Sequence, residues 1–201
     1  MMAILTFPSV SADSESWSMV ANTQIFTSPL NGATQTSSLP GARWGATLTY
    51  TNRDGVEAKR LQAFLTALRG RAGRFYLSPH DSTPNGTAAG SGVVNGASQS
   101  GGALVTSGWG ISQALLFAAG DYIEVNGELK QISTDVASDI SGNATLTFSP
   151  DMNQSPPNGA QIISTNPRAV MRLEDDDQSQ WSFQSPVIYA ISFSCVEAID
   201  V

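Results

Sequence analysis

A change of period between Arg43 and Leu77 constrains this chain more than any other feature. From Trp44 onward, Trp44, Ala46, Leu48 and Tyr50 alternate with Gly45, Thr47, Thr49 and Thr51. A period of two describes a strand with one buried face. The period then lengthens. Leu61, Phe64, Leu65 and Leu68 fall at i, i+3, i+4 and i+7, which is one apolar stripe along a helix. Asp54 stands where an N-cap is needed, and Glu57, three residues on, completes the pattern of a capping box. Gly70 stands where a left-handed residue ends a helix, and Arg69 is placed in the last turn, beside the negative end of the helix dipole. Phe75-Tyr76-Leu77 returns to strand. This strand–helix–strand unit carries the only strong helical pattern in the chain. The expected fold is therefore mainly β, with one helix covering a face of a β-sandwich or barrel.

Composition agrees with that fold class. Gly, Ser, Thr, Asn and Pro are plentiful and charged residues make up 13%, as in an all-β chain with many turns. The 201 residues suffice for one domain or two. Short strands are expected at Ile4–Phe7, Ser16–Val20 and Gln24–Ser28, the last two joined as a hairpin through Ala21-Asn22-Thr23. Pro29 to Gly41 reads as a long polar loop. From Ser78 to Gly110 the chain is crowded with Gly, Ser, Thr and Asn, which fits a linker or short strands joined by tight turns. Tyr122–Val125 and Leu129–Ile132 flank Asn126-Gly127, a strong type I′ hairpin signal. Further strands are expected at Ala144–Phe148, Ala169–Leu173, Gln180–Phe183 and Val187–Val196.

Charge marks a boundary. Residues 1–78 carry +3, residues 79–162 carry −6 and residues 163–201 carry −4. The simplest parse is a discontinuous β domain of residues 1–78 and 163–201, with a small β domain of residues 79–162 inserted. Lys130 is the only Lys or Arg between His80 and Ile162, against seven acidic residues. A net charge of −7 argues against nonspecific nucleic-acid binding, which rests on phosphate neutralisation. It suits a surface past which DNA slides. Cys195 stands alone in an alternating apolar run and reads as a small buried hydrophobe. The first residues carry no positive charge and only a short apolar run, so no signal peptide is expected, and no window approaches a membrane span. A soluble protein from a reducing compartment is expected.

No catalytic constellation emerges, and no cofactor or metal is called for. His80 neighbours Asp81, but adjacent residues seldom form a dyad, and an exposed turn histidine is expected. No nucleophile elbow lies between a strand and a helix, and neither Gly90-Ser91-Gly92 nor Gly101-Gly102 precedes a helix. Glu174 to Asp177 offers four consecutive carboxylates without calcium-loop spacing, and reads as a solvated turn. Asp121 and Glu124 flank a hairpin strand like the paired carboxylates of a glycosidase, but that reading needs a cleft lined by aromatics, and only Tyr122 is adjacent. Trp109 and Tyr122 are candidates for stacking on sugars, whereas Trp44 reads as core.

The stretch ARWGATLTYTNRDGVEAKRLQAFLTALRGRAGRFYLSP, with GDYIEVNGELKQI and SGNATLTFSPDM in the insert, resembles the distal tail proteins of long-tailed, non-contractile bacteriophages. The resemblance covers nearly the whole chain in order. It implies a tube-like β domain that assembles into a hexameric ring, with an outward-facing insert resembling a small oligonucleotide/oligosaccharide-binding barrel. It implies a structural, non-enzymatic role at the virion tail tip, with assembly in the host cytoplasm. The implied partners are further copies of the chain, the tail tube protein and the tail-tip hub. DNA passes through without stable binding, and no membrane is entered. On this reading Arg53, Lys59, Arg60, Arg69, Arg71 and Arg74 lie at subunit interfaces or outside, and the channel is neutral or acidic. Two other roles are a carbohydrate-binding module or cell-wall glycosidase of the tail tip, and a tail-tube or tail-terminator subunit.

Overall fold

The computed structural model describes residues 3–178, 180–184 and 188–199. The fold is mainly β with one helix, and it comprises a curled half-barrel sheet and a nearly closed six-stranded antiparallel barrel. The large sheet is built from β1 (Ile4–Thr6), β2 (Ser14–Val20), β5 (Arg43–Arg53), β6 (Arg74–Leu77), β13 (Ala169–Leu173), β14 (Trp181–Gln184) and β15 (Ile188–Glu197). Its order is β1-β6-β13-β15-β5-β2, with β14 also on β15. The final strand, expected from Val187, is described from Ile188; Val187 lies outside the described residues.

The alternation in β5 becomes burial. Trp44, Ala46, Leu48 and Tyr50 face the core. On the other face, the hydroxyls of Thr47 and Thr49 pair with those of Ser194 and Ser192 across the β5–β15 register. β15 changes neighbours along its length. Residues 195–197 pair with β13 and residues 188–191 with β14. In the gap, the Glu174 N–H donates to Ser194 O and the Gln178 side chain accepts from Ser194 N. The acidic turn therefore completes the ladder where one strand hands over to the next.

Helix α1 (Gly55–Leu68) is the only α-helix among the described residues. It buries Ala58, Leu61, Phe64, Leu65 and Leu68 against Tyr50, Phe75 and Phe193 of the sheet. Phe7 meets Phe64 edge-on at 5.0 Å. Asp54 caps the helix, its carboxylate accepting from Val56 N and Glu57 N. The capping box is not completed, because the Glu57 carboxylate turns to Arg53, 3.4 Å away. The C-terminus also differs from expectation. The helix ends at Leu68, so Arg69 lies outside the last turn and itself adopts the left-handed conformation at φ 54°. Gly70 follows at φ 66°, opening a short 3-10 turn through Ala72. Leu65 has no exposure. Leu65→Ala is expected to cost about 2–5 kcal/mol, the range for truncating a fully buried leucine, as a lower urea midpoint with an unchanged m-value.

The barrel comprises β7 (Gly90–Val94), β8 (Gly101–Trp109), β9 (Tyr122–Val125), β10 (Glu128–Ile132), β11 (Ala144–Met152) and β12 (Ile162–Ile163). Its order is β12-β9-β10-β11-β8-β7, and the Val93–Gln161 bridge brings the two edges together. The Gly/Ser-rich stretch thus supplies two barrel strands rather than a linker. Asn126 and Gly127 both have positive φ, 52° and 79°, which a type I′ turn requires. The barrel has its own core around Leu104, Phe117, Ile123, Leu146 and Phe148.

The expected hairpin between residues 16–20 and 24–28 does not form. β2 instead pairs with β5 over Ser14–Val20, where Glu15 and Trp17 share the inner face with Leu48 and Ala46. The second half of the supposed hairpin, β3 (Thr23–Thr27), pairs with β4 (Thr34–Ser38), which lies inside the stretch expected as loop. Gly32 at φ 69° turns this ribbon, and Ser28 N donates to Ala33 O.

Candidate functional site

Two regions concentrate chemistry: the junction between sheet and barrel, and the ribbon of β3 and β4. At the junction, Trp44 Nε1 donates to Leu129 O at 3.0 Å. Trp44 N and Leu129 N both donate to the Glu197 carboxylate, at 3.1 and 3.3 Å. Glu197 is 2% exposed. Burial pushes its carboxyl above the ordinary 4.5, outweighing the two N–H donors and the nearby Lys130 charge. Lys130 has no exposure; its ammonium lies 2.7 Å from Glu128 and donates to Asp151 O at 2.9 Å. Glu128 accepts in turn from Asn153 and Gln154. The buried cation thus ties the end of the β9–β10 hairpin to β11, while Glu197 joins the last strand of the sheet to the backbones of Trp44 and Leu129.

A cleft of about 410 Å³ opens beside this junction, between β2, the segment leading into the barrel and the β9–β10 hairpin. Trp17 and Tyr122 line it, and both pack edge-on against the buried Trp44, at 6.3 and 5.9 Å between ring centroids. The Glu15 carboxylate accepts from Trp17 Nε1 and from His80 N. Burial, then the nearby Asp81 and Glu15 charges, push the Tyr122 phenol above its usual range. Among the described residues, no three His, Cys, Asp or Glu side chains are grouped to hold a metal ion.

The two candidate glycosidase carboxylates are otherwise engaged. Asp121 is 3% exposed and accepts from Asn85 N, Gly86 N and Ala118 N. Glu124 is buried and accepts from Arg168 N at 3.0 Å. Trp109 does not offer a stacking face either. It is 5% exposed, sits edge-on to Phe117 in the barrel core, and donates to Thr106 Oγ1. His80 is exposed, as expected. Cys195 is buried, and burial pushes its thiol well above the usual range.

The six basic residues fall into two sets. Arg53 pairs with Asp13 and Glu57 and donates to Ser11 O. Arg71 binds the acidic turn through Glu174 O, the Asp176 carboxylate and an ion pair to Asp175 at 3.3 Å. The turn from Glu174 to Asp177 is exposed, as expected, and Arg71 clamps it. Arg74 holds the carbonyls of Arg71, Ala72 and Gly73. Lys59, Arg60 and Arg69 are exposed and make no ion pair among the described residues.

The ribbon is the least supported element. Every residue of β3 and β4 is exposed, including Ile25 at 68% and Phe26 at 65%. Leu30 at its tip is 96% exposed. No charged residue lies between Thr23 and Ser38. Such a surface calls for a partner.

Neither protein-family models nor curated proteins give a match to this chain. A functional reading therefore rests on its residues and their geometry. No described helix is long and apolar enough to cross a membrane.

Proposed function

We propose that this chain is a structural, non-enzymatic subunit of the tip of a long, non-contractile phage tail. In this reading it forms a hexameric ring that joins the tail tube to the tail-tip hub and leaves a channel for DNA. The uncharged ribbon of β3 and β4, holding Ile25, Phe26 and Leu30 out in water, carries the proposal. A lone subunit gains no burial from it. A ring closed by head-to-tail contacts needs two different complementary faces on each subunit. A protruding ribbon with free backbone edges supplies one of them by strand addition or apolar contact. The exposed cations Lys59, Arg60 and Arg69 favour a second, electrostatically steered contact. In the proposed ring these cations stay out of the lumen, because each phosphate contact adds affinity that slows DNA transit.

Electron microscopy of the purified protein tests the reading directly. Rings with a central channel are expected, and a cryo-EM map of the native particle is expected to place the chain between tube and hub. A protein that stays monomeric at high concentration and is missing from purified virions would overturn it. Immunogold labelling along the tail shaft or at its upper end would select a tube or terminator subunit instead.

A further inference from the structure

We propose that the cleft between β2 and the β9–β10 hairpin binds a saccharide that carries no acidic group. This inference is independent of the ring, because every wall of the cleft comes from one chain. Its lining includes Glu15, Trp17, Asp81, Asn85, Tyr122 and Gln131, and its volume of about 410 Å³ lies within the roughly 300–1,000 Å³ of small-molecule sites.

The ligand class is set by what these side chains offer. Trp17 and Tyr122 are flat, half-buried and amphipathic, with apolar faces suited to the C–H surface of a sugar ring. Both are held by the buried Trp44, and the Trp17 indole N–H is fixed by Glu15, so the aromatic walls are set before a ligand arrives. Around them stand acceptors and donors for hydroxyl groups. Asp81 is exposed with no intramolecular partner among the described residues, and the Asn85 and Gln131 amides line the same space. A carboxylate accepts from sugar hydroxyls, and an amide both donates and accepts.

Other ligands fit less well. Among the described residues no Lys or Arg lines the cleft, and Glu15 and Asp81 repel phosphate or a uronic acid. The lining is too polar for a fatty chain. Asp121 fixes the Asn85–Gly86 wall through three of its contacts, so the segment is anchored to the barrel rather than loose.

The test is titration of the full-length protein, monitored by tryptophan fluorescence and calorimetry. The probes are oligomers of glucose, galactose and N-acetylglucosamine, with oligogalacturonate as the anionic counterpart and tetramethylammonium and spermidine as organic cations. Saturable binding of at least one neutral oligomer is expected, with none of oligogalacturonate. Asp81→Ala, at an exposed site that leaves the fold intact, is expected to weaken it about tenfold, the loss of one charge-assisted hydrogen bond. Trp17→Ala is expected to abolish it. No binding of any neutral oligomer up to about 10 mM, weaker than any ordinary lectin-type affinity, would overturn the proposal. Binding unchanged by Asp81→Ala would also overturn it. Selective binding of the cations would reassign the cleft to an ammonium ligand held by carboxylates and aromatic faces.

Discussion

Lys130→Ala is expected to lower folding stability by about 3–5 kcal/mol, the range for removing one partner of a buried ion pair. The ammonium is fully buried, 2.7 Å from Glu128, and removing it leaves that carboxylate and Glu197 facing each other without a cation. The loss depends on pH, and its sign is fixed by Glu197. Burial raises the Glu197 carboxyl above 4.5, so the folded state holds its proton more tightly than the unfolded chain does. Stability from this group is complete below pH 4.5 and is lost as pH rises through the folded value. Without Lys130 that value climbs further. The gap between the variant and the parent protein is therefore expected to be widest near neutral pH and to narrow towards pH 4. Urea unfolding at a series of pH values measures it. A gap that does not change with pH would mean that Lys130 acts through packing alone.

Trp44→Ala is expected to cost a similar amount, about 3–5 kcal/mol for a buried tryptophan. Trp44 is 5% exposed, and its indole reaches across to Leu129 O. Trp44→Phe separates the two contributions. It keeps most of the buried area and loses the hydrogen bond, so about 1 kcal/mol of the total is expected to remain as its cost. Because Trp44 also supports Trp17 and Tyr122, Trp44→Ala is expected to loosen the cleft walls, visible as lost near-ultraviolet circular dichroism.

What was legible in the sequence was what depends on local period. The alternation of Trp44, Ala46, Leu48 and Tyr50, the stripe of Leu61, Phe64, Leu65 and Leu68, and the Asn126-Gly127 turn all became the expected elements. Competition between partners was not legible. Glu57 fits a capping box by spacing, but Arg53 lies within reach and takes its carboxylate. β2 and β3 are close enough in sequence to form a hairpin, yet β2 pairs with β5, whose buried face continues its own. The charge imbalance singled out Lys130, and the spacing of Glu128 and Lys130 puts both on one face of a strand. Lys130's second partner, the Asp151 carbonyl, comes from a neighbouring strand and could not be read from local spacing. The cleft was invisible for the same reason, since Glu15, Asp81 and Tyr122 meet only once the large sheet and the barrel are assembled.

The point where the chain leaves the large sheet and the point where it returns are adjacent. Leu77, at the end of β6, lies in register with Ala169, at the start of β13. Everything between them hangs from a single pair of neighbouring strands, the geometry in which inserted domains are tolerated. The sheet is in effect a socket. A replacement for the intervening cassette has to refill the place of Leu129, which is buried in the core of the large sheet, and of Tyr122, which packs against that core. It must also offer a carbonyl to the Trp44 indole and an N–H to Glu197, as the backbone of Leu129 does now.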